Sequence, residues 1–204
     1  MKKREILWSA IGAGCCIGIA GFMNLQIENS YIGALLFSLG LLVICMYSLH
    51  LFTGKVGYFL DNRSINTGID LVIILIGNII GCGLISLLSK YSLSENAILK
   101  VHTFIMNKYS SSLISALIQS FLCGILMFFA VDIYKTKKTP LGIFICVSGF
   151  ILSKMEHSIA NSYYIITETL INNTNCNFIY LITYIVGNTI GGLFGYILLK
   201  MKRS

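Results

Sequence analysis

The sequence predicts an all-α polytopic membrane protein: six transmembrane helices as two inverted three-helix repeats, with the second and fifth helices broken. Three observations carry that prediction: scarce charge, a row of long uncharged runs, and a motif that recurs 110 residues apart. Only 11% of the 204 residues are charged and 56% are hydrophobic, whereas a soluble domain carries about a quarter charged residues. Mean hydropathy is +0.81.

The uncharged runs place the elements. Lys, Arg, Asp and Glu are absent from 6–27, 29–54, 71–89, 109–131, 139–153 and 169–199. A helix needs about 20 apolar residues to cross ~30 Å of hydrocarbon. The fifth run reaches that length only by continuing through the polar cluster KMEH to about Ile166. A β-barrel would instead alternate in segments of about ten residues. The opening MKKREILWSAIGAGCC has the basic start and apolar core of a secretory signal. A lipoprotein-type cleavage would want an aliphatic residue three before Cys15, where Gly12 stands, so the segment reads as the first span. With one proline and no linker-like stretch, 1–204 reads as a single transmembrane domain.

Cation placement sets the orientation. With the N-terminus inside, eleven Lys and Arg fall on the cytoplasmic side (Lys2, Lys3, Arg4, Lys55, Arg63, Lys135, Lys137, Lys138, Lys200, Lys202, Arg203). Three, Lys90, Lys100 and Lys108, fall in one loop on the other side. The bias predicts cytoplasmic termini at the cell membrane. The net charge of +7 is thus mostly this bias, supplemented by attraction to anionic lipid headgroups, rather than a nucleic-acid footprint. The seven cysteines show no CxxC and no metal spacing, so they read as small apolar fillers; no metal or other cofactor is implied.

The repeat joins IGNIIGCGLISLLSK (76–90) to VGNTIGGLFGYILLK (186–200), with six identities in fifteen positions, Asn78/Asn188 and Gly81/Gly191 among them. The span before each holds a histidine followed by small polar residues, SLHLFTGK and MEHSIANS. Repeat one then covers about 6–90 and repeat two about 109–200. Three spans per repeat force the second to enter from the opposite side, the arrangement that binds transported species near the midplane at broken helices. Thr53–Gly54 and Ser158 to Ser162 are the expected breaks. Gly14/Gly18, Gly77/Gly81 and Gly187/Gly191/Gly195 form small-residue ridges that permit close helix approach.

The polar cluster carries the functional reading. An ionisable group at membrane depth nearly always faces a protein interior or a wet cavity. On a continuous helix Lys154, His157, Asn161, Tyr164 and Glu168 share one stripe, and Glu156 faces elsewhere. A bland helix-packing role for His157 is weighed against a pathway role, and Lys and Glu beside it favour the latter. His50 is the weaker counterpart, and His102 sits in a polar loop. An anion in a narrow apolar passage meets a large desolvation cost. His157 can offset that cost with charge, or remove it by proton donation to a weak-acid anion. Asn161, Asn188 and Thr53 can orient the substrate. Phe37, Leu41, Phe52 and Phe150 can form dry constrictions. The alternative is a membrane-embedded enzyme using His157, Glu156 and Lys154 for acid–base chemistry; it lacks HExxH, GxSxG or a second carboxylate cluster. A cation transporter using Glu156 would be at odds with its basic surroundings.

EHSIAN (156–161), LFTG (51–54) and GNTIGG (187–192), in this order, resemble the formate/nitrite transporter family, and the likeness covers nearly the whole chain. The resemblance implies a homopentamer of six-helix protomers in the lipid bilayer, each with a pore for formate, nitrite, hydrosulfide or similar small monovalent anions. By matching motifs it puts His157 on the central pore histidine and Thr53 on the threonine of the break in span two. It likewise puts Asn161 within the histidine motif and Asn188 on the sixth-span asparagine. Phe37, Leu41, Phe52 and Phe150 fall on or near the constrictions. His50 stands where the family usually has an acidic residue, and Lys154 where it has a small or apolar one.

Overall fold

A computed structural model describes residues 2–200, without the Lys200 side chain; Lys202 and Arg203 of the charge-bias argument lie outside the described residues. Four long helices dominate: α1 (Lys3–Gln26), α4 (Ile65–Ser89), α6 (Leu113–Lys137) and α9 (Phe178–Lys200). Each is long and apolar enough to cross a membrane; at ~1.5 Å per residue, 25 residues of α4 or α6 reach about 38 Å. Between them lie α2 (Ser30–Met46), α3 (Phe52–Lys55), a 3-10 segment (Val56–Asp61), α5 (Glu95–Tyr109), α7 (Leu141–Leu152) and α8 (Ser158–Asn172). No strand occurs among the described residues. Local chemistry sets several starts: Asn29, Ser64, Ser94 and Ser112 each accept a backbone N–H of the first turn they cap.

Packing repeats at the offset seen in the sequence. α1 lies on α4, and α6 lies on α9. A Cβ added at Gly14 would overlap the Asn78 carbonyl, and one at Gly81 would overlap that of Ile11. Gly124 meets Asn188 and Gly191 meets Phe121 in the same way, each residue 110 positions on. These helices touch backbone to backbone, which lipid-embedded helices achieve through small residues. The ridges of Gly14, Gly81, Gly187 and Gly191 therefore serve contacts inside this chain. The outer faces match too: Ile69, Val72, Ile76 and Ile80 on α4 are exposed, as are Ile179, Ile182, Val186 and Ile190 on α9. Stripes of this kind suit a lipid surface.

The interruptions fall earlier than the sequence predicts. Thr53–Gly54 lie inside α3, and Ser158 to Ser162 form the start of α8; the chain leaves the helix at 47–51 and 153–157 instead. The cause is a helix-ending turn at a non-glycine residue. Ser48 (φ 54°) and Lys154 (φ 56°) adopt the left-handed conformation. Around them Leu49 N donates to Ile44 O and Met155 N to Phe150 O, both at 2.9 Å. Each new helix is then pinned from a distance: Asn78 Oδ1 accepts Phe52 N at 2.8 Å, and Asn188 Oδ1 accepts Ser158 N at 2.7 Å. The Asn78 amide donates to Ala10 O and His50 O, and the Asn188 amide to Ser120 O and Glu156 O. The polar stripe that a continuous helix would form is therefore split by the break, with Lys154 in the turn and His157 at the N-cap of α8.

The expected loop at 90–108 is largely α5. Its apolar face, Ala97, Val101 and Ile105, is buried at every fourth residue. Its polar residues tie down elsewhere. Lys100 Nζ donates to Asn24 O at 2.5 Å and Ile27 O at 2.9 Å, and Lys108 pairs with Glu156. His102 Nδ1 lies 2.7 Å from Glu168, a buried carboxylate that also accepts from Asn172 and Thr174. All seven cysteines are free thiols. Cys45 sits near the end of α2, and Cys176 lies between α8 and α9.

Candidate functional site

Two cavities lie toward opposite ends of α6. One, of about 170 Å³, is lined by Val131, Tyr134, Lys135 and Lys138 near the end of α6, with Ile44, Cys45, Ser48, Leu51 and Lys55. The other, of about 600 Å³, is lined by Ser111 and Gln119 near the start of α6, with Phe37, Phe150, Lys154 and His157, and is flanked by α5 through Lys100, Phe104 and Lys108.

His157 stands at the inner limit of the larger cavity. Its residue is 1% exposed, its ring stacks on Phe150 (centroids 5.4 Å, 22° between planes), and Phe150 meets Phe37 edge-on at 6.1 Å. Nε2 lies 2.8 Å from Thr53 Oγ1, and Thr53 is two residues from Leu51 on the wall of the smaller cavity. The ring therefore sits between the two spaces.

The local fold also assigns its proton. As N-cap of α8, His157 accepts the Ala160 backbone N–H at Nδ1, 3.0 Å away. A neutral imidazole has one N–H, so with Nδ1 accepting, Nε2 donates to Thr53 Oγ1. The Thr53 hydroxyl hydrogen is then left to point at something else. A second ring proton, on Nδ1, would cost the cap bond.

Next to the ring, Glu156 is 4% exposed, held by Lys108 and by Asn161 Nδ2 at 2.7 Å. Charge at membrane depth is thus paired, as its desolvation cost requires. Asn161 also lines the larger cavity. Lys154 lines it as well and has no ion-pair partner among the described residues.

The other predicted residues sit further out. Asn188 is fully buried with its amide committed to backbone groups of α6, Glu156 and Ser158. His50 bonds Ser9 Oγ at 2.8 Å and lines neither cavity. Leu41 and Phe52 are buried but line neither. Ile44, Leu51 and Val131 occupy the wall of the smaller cavity and were not singled out by the sequence. Only the structure marks Leu51: the bonds of the two Asn braces relate the interruptions by 106 residues (Phe52/Ser158, His50/Glu156), which makes Leu51 the counterpart of His157. The described residues hold no cluster of His, Cys, Asp or Glu suited to a metal ion.

A family model described as formate/nitrite transporter matches residues 1–201. Among solved structures, an FNT family ion channel aligns with a TM-score of 0.83 at 20% identity, over all of this chain and 91% of that one. A pentameric formate channel with formate bound aligns with a TM-score of 0.76, also at 20% identity, over 98% of this chain and 96% of that one. No curated protein sequence matches the chain.

Proposed function

The chain belongs to the formate/nitrite transporter family, a membrane transport family rather than an enzyme family, and on that premise we propose that it passes small monovalent weak-acid anions, formate, nitrite or hydrosulfide, by His157. The protein is read as a single domain of six spans in two inverted three-helix repeats, α2–α3 and α7–α8 being the broken second and fifth helices. Both termini face the cytoplasm, which makes the smaller cavity the cytoplasmic mouth. Five copies assemble, each with its own path.

The observation that carries this reading is the buried imidazole bonded to Thr53 between two separate cavities. An anion moving from one cavity to the other leaves water, at an idealised cost on the order of 20 kcal/mol for a full charge in a medium like protein interior. Phe37 and Phe150 on one side, with Ile44 and Leu51 on the other, offer no charge against that cost. The Nε2–H of His157 and the hydroxyl of Thr53 offer hydrogen bonds between them. The start of α8, a helix of 15 residues, adds partial positive charge there. Because Nδ1 is held by Ala160, the ring serves best as a neutral donor. The species that crosses is then favoured as the protonated acid, formed with a proton from the cavity water, rather than an anion balanced by a resident imidazolium. Lys154 and Asn161 in the larger cavity draw the anion toward the ring. Asn188 and His50 support the backbone around it.

Flux of formate, nitrite and hydrosulfide into proteoliposomes, each at two pH values, tests the proposal. His157→Phe is expected to lower flux of the true substrate to the lipid background. Unchanged flux in that variant removes the ring from the pathway. Cross-linking of the purified protein that stops at a species other than five chains overturns the pentamer.

A further inference from the structure

The smaller cavity gathers more positive charge than drawing in a monovalent anion requires. Its wall holds three ammonium groups, Lys55, Lys135 and Lys138, and no carboxylate. Lys55 is only partly exposed and has no ion pair or hydrogen bond among the described residues. Lys135 is held over the ring of Tyr58, its Nζ 3.7 Å from the centroid. Two carboxylates lie behind the wall rather than on it and offset part of the charge of Lys135: Asp132, which accepts from Tyr58 at 3.1 Å, and Asp61, which accepts from Tyr196. Ser48 and Tyr134 add hydroxyls to the wall. The volume of about 170 Å³ exceeds several waters at about 30 Å³ each, room for one tetrahedral oxyanion with part of its hydration.

We propose that this cavity is a binding site for divalent oxyanions, of which inorganic phosphate and sulfate are the simplest, and that an occupant blocks the path from that face. The argument is one of charge. Attraction to each lysine grows in proportion to the ligand's charge. The cost of leaving water grows with its square, about fourfold from a monovalent to a divalent ion. A divalent oxyanion is therefore held more firmly than formate by the three lysines, yet excluded more strongly by Ile44, Leu51 and Val131 above them. It enters and does not pass. The block, though not the binding, rests on the transport reading above.

Two measurements separate the two ideas. Calorimetric titration of the detergent-purified protein with phosphate or sulfate is expected to show saturable binding that chloride does not reproduce. Lys55→Gln and Lys135→Gln are each expected to weaken it about tenfold, the size of one charged hydrogen bond. If the Lys55 variant fails to fold, the exposed Lys138→Gln replaces it. Phosphate binding no tighter than chloride, or unaltered in the variants, overturns the site. In the second measurement, formate flux is followed in inside-out vesicles and in spheroplasts. Phosphate is expected to slow it only from the face that holds the lysines; equal effects from both faces overturn the block. Binding without any formate flux in the absence of phosphate leaves the site standing and sinks the transport reading. Flux without phosphate binding does the reverse.

Discussion

The interruption at 47–51 and the one at 153–157 are built from the same backbone parts and furnished with different side chains. Each leaves its helix through a left-handed residue, Ser48 or Lys154. Each restarts under an asparagine that makes three hydrogen bonds to backbone groups, Asn78 or Asn188. At matching positions stand Leu51 and His157, His50 and Glu156, Ile44 and Phe150. The first member of each pair is apolar or, in His50, bonds one neutral hydroxyl, that of Ser9 on α1. The second members form a stack and an ion pair around the ring. The scaffold that bends the chain is duplicated, then, whereas the stacked ring and its neighbouring ion pair belong to one copy. Substitutions can therefore address the backbone braces and the proposed pathway ring in turn, although His157 also caps α8.

The largest expected effect comes from moving the chemistry. In a His157→Leu chain, adding Leu51→His places an imidazole at the matching site without Glu156, Lys108 or Phe150 beside it. Formate flux in proteoliposomes is expected to stay at background, and recovery would mean that the scaffold alone suffices. Next are the braces. Asn78→Leu and Asn188→Leu each strand one buried donor and two acceptors, at about 1–3 kcal/mol apiece. A total on the order of 4–6 kcal/mol approaches the whole stability of a typical domain. Little folded protein is expected from either variant on size-exclusion chromatography, and a large difference between them would break the equivalence. Glu156→Gln leaves Lys108 unpaired beside the larger cavity, for about 3 kcal/mol, the lower end of what breaking a buried pair costs. Its counterpart His50→Gln is expected to cost about 1 kcal/mol or less, the value of one hydrogen bond, and paired thermal melts check the contrast. Gly81→Ala and Gly191→Ala push α4 from α1 and α9 from α6, at about 1–3 kcal/mol each by overpacking. The smallest effect is at Lys3, whose exposed pair with Asp70 is worth about 0.5 kcal/mol; Lys3→Gln is expected to melt with the parent.

Much of the architecture was legible because hydrocarbon excludes charge, so gaps between charged residues mark spans without any knowledge of packing. α5 escaped notice because Lys100 and Lys108 make its stretch look like a loop, and only Ala97, Val101 and Ile105 mark the buried side. The interruptions lie earlier than the sequence predicts because the left-handed turns fall on Ser48 and Lys154, upstream of Gly54 and of the small polar run from Ser158 to Ser162. His157 was legible as an ionisable group in an apolar run. Its counterpart was not: aligning histidine with histidine pairs it with His50, one position away from the Leu51 that the hydrogen bonds indicate. The partnership of Lys108 with Glu156 spans 48 residues and leaves no local mark. Ile44 and Leu51 look like any other apolar residue until a cavity gives them a side.

The cysteines give this chain natural labels. Cys45 opens onto the smaller cavity, whereas Cys176 lies in the connection between α8 and α9, toward the other end of the protein. The remaining five are set within α1, α4, α6 and α7. A bulky, charged maleimide that cannot diffuse through lipid would therefore mark one thiol or the other according to the face from which it is added. Peptide mass spectrometry of the labelled protein would read out its sidedness in intact cells, with no engineered tag.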